Sequence, residues 1–229
     1  MERRKFTVLA ATLPLMAILR PGAALAAIPG LGEDQAAAGV RAAIERGAES
    51  AVGLLGKADG FLGNPQVRIP LPGALADAAK MLKMIGQQKK VDELVVAMNR
   101  AAEGAVPEAR ALLVAAVRSM SVDDALRLVR GSQTAVTEFF ERKTREPLGE
   151  KFLPIVTQWT EKVSLAQKYN AVAGHAQSFG LVKSEDANVE HYVTRKALDG
   201  LYLMIGEEEK KIRADPIGTG SDLLRKVFG

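Results

Sequence analysis

The chain has 229 residues, with 31 Lys+Arg against 27 Asp+Glu and no cysteine. The lack of cysteine excludes disulfides, thiolate zinc sites, iron–sulfur clusters and cysteine nucleophiles. Of the formal charge of +4, +3 sits in the first 26 residues, where Arg3, Arg4, Lys5 and Arg20 face only Glu2; 27 basic and 26 acidic residues remain beyond them, which gives no electrostatic case for a nucleic-acid partner.

The N-terminus has the layout of an export signal. Arg3-Arg4-Lys5 precedes an apolar stretch from Phe6 to Leu19, and Ala24-Leu25-Ala26 forms an A-x-A cleavage site. The apolar stretch contains Pro14 and falls short of the ~20 residues of a spanning helix. Arg3-Arg4-Lys5-Phe6 fits the core of a twin-arginine signal. The flanking Glu2, Thr7 and Val8 depart from that pattern, so a general secretory signal stays open. Cleavage near Ala26 leaves residues 27–229 as one domain, expected to be soluble and periplasmic.

From there the punctuation is helical. Asp34 caps a helix to about Lys57, with Val40, Ile44, Ala48, Val52 and Leu55 on one stripe. Residues 59–72 are irregular. Pro65, Pro70 and Pro72 remove three backbone donors and favour extended predecessors. Val67, Ile69 and Leu71 alternate with Gln66, Arg68 and Pro70, which predicts a strap laid over the helices with its apolar side inward.

A second helix is expected from Gly73 to Ile85, ending at Gly86, and a third from Gln88 to Val106. Pro107 opens a fourth, to Met120. Ser121-Val122-Asp123-Asp124 resembles a capping box at the head of a fifth, which Gly131 ends. Ser132 starts another, expected to break at Glu146-Pro147. A long helix from Glu150 to Ala173 carries Phe152, Ile155, Val156, Trp159, Val163 and Tyr169. Asp186 or Asn188 caps the longest pattern, which runs to Ala214 with Val193, Leu198, Leu201, Ile205 and Ile212 on one face. A short helix from Leu223 to Phe228 closes the chain. With no segment competing as a strand, the expected fold is all-α, a compact domain of eight or nine helices with a Pro-rich strap.

The residues offer little dedicated chemistry. His175 and His191 have no metal-ligand spacing. No P-loop, G-x-S-x-G elbow or EF-hand run occurs, and no cofactor is implied. Gly218-Thr219-Gly220-Ser221 reads as a turn with a serine cap, and Glu207–Lys211 as a solvated helix face. Two clusters are candidates for binding. Asn99 and Glu103 lie one turn apart with Arg100 beside them; either they satisfy the backbone of the Arg68–Pro72 strap, or Arg68, Asn99, Arg100 and Glu103 line a pocket. Tyr192, Arg195, Lys196 and Asp199 form the second cluster, with i,i+4 pairing as its plain explanation.

Four stretches, VRIPLPG (Val67–Gly73), AMNRAAEGAVPEAR (Ala97–Arg110), FLPIV (Phe152–Val156) and YVTRKALDGLYLMIGEEEKKIRADP (Tyr192–Pro216), closely resemble the bacterial domain-of-unknown-function family 4197. The resemblance implies an exported, mainly helical protein of Gram-negative bacteria, with no activity or site residues to carry over. It also implies that many relatives bear a lipoprotein cysteine at the signal end. This chain has none, so its mature form is expected without a lipid anchor or transmembrane helix. The leading expectation is a non-enzymatic, envelope-associated protein that binds a protein partner or a small apolar ligand. A cofactor-independent enzyme using carboxylates and Arg, and a self-assembling structural protein, are the alternatives.

Overall fold

The computed structural model describes residues 33–178 and 187–215. Helix α1 (Glu33–Leu55) carries Glu33 and Asp34 in its first turn, where carboxylates favour the positive end of the helix. Its buried residues include the predicted stripe from Val40 to Leu55. A turn follows in which Asp59 takes a left-handed φ of 63°, a conformation that a short polar side chain tolerates. The strap then runs as expected. Val67 and Ile69 are buried, Leu71 is half-buried, and Gln66, Arg68 and Pro70 are exposed. Phe61, at the head of the strap, is also fully buried.

Helix α2 (Gly73–Met84) ends at Gly86, whose φ of +79° suits glycine. The amide of Gln87 donates to Leu82 O (2.8 Å) and that of Gly86 to Lys83 O (3.2 Å), the two bonds of a Schellman ending. Helix α3 (Gln88–Ala105) buries Val91, Leu94, Met98, Ala101 and Ala102. Pro107 sits in a single 3-10 turn, Val106–Glu108, ahead of α4 (Ala109–Arg118).

The capping box on α5 (Val122–Arg130) is formed: Asp124 N donates to Ser121 Oγ (3.0 Å) and Ser121 N to Asp124 Oδ2 (3.3 Å). Ser121→Ala is expected to cost about 1 kcal/mol in chemical denaturation. Hydrogen bonds from Ser121, then the bond to Arg127, hold the Asp124 carboxyl below its usual 3.8. The contribution of that carboxylate is therefore complete above pH 3.8 and is lost as the pH falls through the lower folded value. The stability difference between the wild type and Asp124→Asn should shrink only in that acid range.

The structure corrects two of the expected boundaries. Glu146-Pro147 does not break the chain. Helix α6 (Ala135–Thr160) runs through both Pro147 and Pro154. A buried row at every fourth residue explains this: Phe140, Thr144, Leu148, Phe152, Val156 and Thr160 all face the core. The prolines lie off that row. The residues whose carbonyls lose a helical partner, Lys143 and Glu150, are exposed, where water can serve them. The predicted 150–173 helix is instead divided at Glu161–Val163, and α7 (Ser164–Ser178) follows. Gln167 Nε2 fastens this turn by donating to Glu161 O (2.8 Å). Trp159, near the end of α6, is 46% exposed.

Asn188, rather than Asp186, caps α8 (Val189–Ala214), its Oδ1 accepting from His191 N at 3.0 Å. The long helices α6 and α8 pack on one another, with α3 against both; α1 lies against α8, α4 and α5. One continuous apolar core joins them. Among the described residues there is no strand, and the fold is a single compact all-α domain. The expected export signal, the Gly218–Ser221 turn and the 223–228 helix lie outside the described residues, as does the side chain of His175.

Candidate functional site

The strap is fastened by side chains from α3 and α8. Asn99 is fully buried. Its Oδ1 accepts from Ile69 N (2.8 Å), and its Nδ2 donates to Ile69 O (3.0 Å) and to Val95 O (2.8 Å). One turn on, Glu103 Oε1 accepts from both Phe61 N and Leu62 N at 3.0 Å. Its other oxygen pairs with Arg100 (2.6 Å), and Arg100 also reaches Asp59 at 2.8 Å. These hydrogen bonds, the one to Glu103 foremost, raise the Arg100 pKa above the ordinary guanidinium value and keep its charge in place. From α8, Tyr192 Oη donates to Pro70 O at 3.1 Å.

The seven residues singled out in the sequence are thus only partly brought together. Asn99, Arg100, Glu103 and Tyr192 converge on the strap, and the bonds of the first three run to backbone, to one another or to Asp59. Arg68 is exposed. Arg195 lies with its guanidinium 5.4 Å from the Tyr192 ring centre. Asp199 reaches across to Arg145 of α6 (3.0 Å) and along its own helix to Lys196 (3.7 Å). The strap also presses closely on α8 at Gly200. A Cβ there would stand 2.7 Å from the Phe61 ring and 3.3 Å from Val67 Cβ. Gly200→Ala is expected to lift the strap and lower the unfolding free energy by about 1–3 kcal/mol, as read by urea denaturation.

A second site was not marked as functional in the sequence. Between α1, α5 and the end of α8 lies a half-open groove of about 40 Å³, walled by apolar residues including Val40, Ile44, Val129, Val136, Ile205 and Ile212. Glu209 and Arg213 sit at its edge. Glu209 is buried; it accepts from Val136 N (3.1 Å), Thr137 N (3.0 Å) and Thr137 Oγ1 (2.8 Å). It also pairs with Arg213 at 2.9 Å. Arg213 donates onward to Leu128 O (2.8 Å) and Val129 O (3.1 Å).

The chemistry is that of helix ends. The carboxylate meets the N–H groups opening α6, and the guanidinium meets the carbonyls closing α5, where Leu128 O also accepts from Gly131 N at 3.3 Å. Both charged groups are engaged, so what the groove offers a ligand is apolar wall. The 207–211 run divides accordingly. Lys210–Glu207 (2.7 Å) and Lys211–Glu208 (2.6 Å) pair at i,i+3, not at the expected Glu207–Lys211 spacing. Glu209 between them turns inward.

The signal that could have found Glu209 lies in the stripe itself. It stands four residues after Ile205 and three before Ile212, on the helix face already expected to be buried. Glu190 is a further buried carboxylate, accepting from Thr160 Oγ1 (2.9 Å) and Asn170 Nδ2 (2.7 Å), so it ties α6 and α7 to α8. Among the described residues no three Asp, Glu or His side chains are grouped to hold a metal ion.

A model of the protein-of-unknown-function family DUF4197 matches residues 30–229. The chain belongs to that family. The DUF4197 match takes in every described residue, so the strap and the groove are both parts of the family's domain. Comparison with curated proteins and with solved structures finds no match.

Proposed function

We propose that the mature chain is a periplasmic, non-enzymatic binding protein of the cell envelope, and that the groove between α1, α5 and α8 takes a small apolar ligand. One observation carries the reading: the groove is apolar while the two charged groups at its edge are already bonded to helix ends. A catalytic groove needs a group free to move a proton or attack; here Glu209 accepts three hydrogen bonds as well as its ion pair. The N-terminal signal supports the location. No helix of the described residues is long and apolar enough to cross a membrane.

The test is native mass spectrometry of protein purified from periplasm, paired with titration of a small apolar probe, benzene, followed by ligand-detected NMR. The reading expects a retained small molecule or saturable probe binding, abolished in Val129→Trp, where the indole fills the groove. Probe binding that is absent, or that persists unchanged in a folded Val129→Trp, overturns it. For the export step, Arg3-Arg4→Lys-Lys in a reporter fusion should block export if the signal is of the twin-arginine type.

A further inference from the structure

The end of α2 breaks the pattern of the rest of the surface. Met81, Met84 and Ile85 are 68%, 82% and 70% exposed, more than any other large apolar side chain among the described residues. They are spaced three and four apart, so they form one face of the last helical turn. Leu75 and Ala79 of the same helix are buried, so α2 is seated by its first half while its last turn is bare.

Within that turn the charge is of one sign, with exposed Asp77 before it and exposed Asp92 and Glu93 after it. From Lys80 to Lys90 the sequence holds Lys80, Lys83, Lys89 and Lys90 and no acidic residue, and all four are exposed. Lys80 pairs with Asp77 at 2.9 Å. Lys83, Lys89 and Lys90 have no ion pair among the described residues. Across a cleft shared with Ile85 and Lys90, α7 adds the exposed Lys168. The mature chain as a whole is almost neutral, so this cluster is a local feature and not a general surplus of lysine.

An apolar face rimmed by unpaired lysines suits one surface in particular. Apolar side chains enter the acyl boundary, while lysine stems lie along it and hold their ammonium groups among anionic headgroups. We propose that the α2–α3 turn is a peripheral docking site for a membrane surface rich in anionic phospholipid. The three lysines without an ion pair, Lys83, Lys89 and Lys90, stand beside the bare apolar turn, the pairing of stem and headgroup that an anionic lipid surface accepts. The proposal is independent of the groove.

Co-sedimentation of the mature protein with phosphatidylglycerol–phosphatidylcholine vesicles, against phosphatidylcholine alone, tests it. Binding is expected to the anionic vesicles only, and to weaken as salt screens the lysines. Met84→Ser/Ile85→Ser should lower it by about tenfold or more. Each of Lys83→Gln and Lys89→Gln should lower it by about fivefold. These positions are exposed, so the variants should keep the wild-type unfolding midpoint. Leu203→Ser, which removes an exposed apolar residue of α8 (44%), should leave vesicle binding unchanged. Equal binding to neutral vesicles, or equal loss in Leu203→Ser, overturns the proposal. So does a wild-type dimer in size-exclusion chromatography that Met84→Ser/Ile85→Ser dissolves, with no vesicle binding.

Discussion

Asn99→Leu is expected to lower the unfolding free energy by about 3 kcal/mol, because it removes the partner of two buried backbone groups at once. Leucine fills nearly the same space, so the change tests hydrogen bonding rather than volume. The N–H and C=O of Ile69 both lose their bonds to the side chain. Ile69 is itself only 1% exposed, so water cannot replace them without opening the strap. Two readouts separate the expected result from a bland one. The urea midpoint should fall, and limited proteolysis should cut between Gly56 and Pro72 before any helix. A variant as stable as the wild type, with the strap still protected, would show that Phe61, Val67, Glu103 and Tyr192 hold the strap without Asn99.

Glu209→Ala should lower stability by about 3–5 kcal/mol, the usual consequence of removing one member of a buried ion pair. Three donors of α6 lose their acceptor, and the Arg213 side chain, 20% exposed, loses its counter-charge. The effect should appear as a lower denaturant midpoint with an unchanged slope. Glu209→Gln keeps the shape and one acceptor oxygen, so it should fall between the two. The comparison distinguishes a capping role from simple packing. If the alanine variant loses less than about 1 kcal/mol, the bonds to α6 contribute no more than surface pairing does. Because Glu209 also borders the groove, probe binding should weaken in the same variant.

Much of this fold is legible in the sequence, for reasons that can be named. The strap could be read from three prolines and an alternating trio, since both act on the backbone locally. Asn99 could be read because a mid-helix asparagine asks for a partner, and the strap had donors and acceptors to offer. The course of α6 could not. Local propensity puts a break at Pro147, whereas the buried row from Phe140 to Thr160 is a property of the packed helix and overrides it. Glu209 was hidden by its company: between Glu208 and Lys210 it looks like one charge among five, and its inward turn depends on where α6 begins in space. The exposed turn of Met84 and Ile85 was hidden for the opposite reason. Apolar residues in a helix are read as core unless the structure shows nothing above them.

The pairing of Asn99 with Ile69 has one more consequence. A side-chain amide that exchanges both bonds with a single residue does what a neighbouring strand would do. Segment 67–71 alternates in the manner of a strand, and such segments recruit other chains when their backbone is open. Here Val67 and Arg68 donate to Asn64 O, Ile69 donates to Asn99, and Pro70 and Pro72 have no amide hydrogen. This stretch, suited to forming sheet, thereby lacks a free amide donor for aggregation at four of the five positions along 67–71.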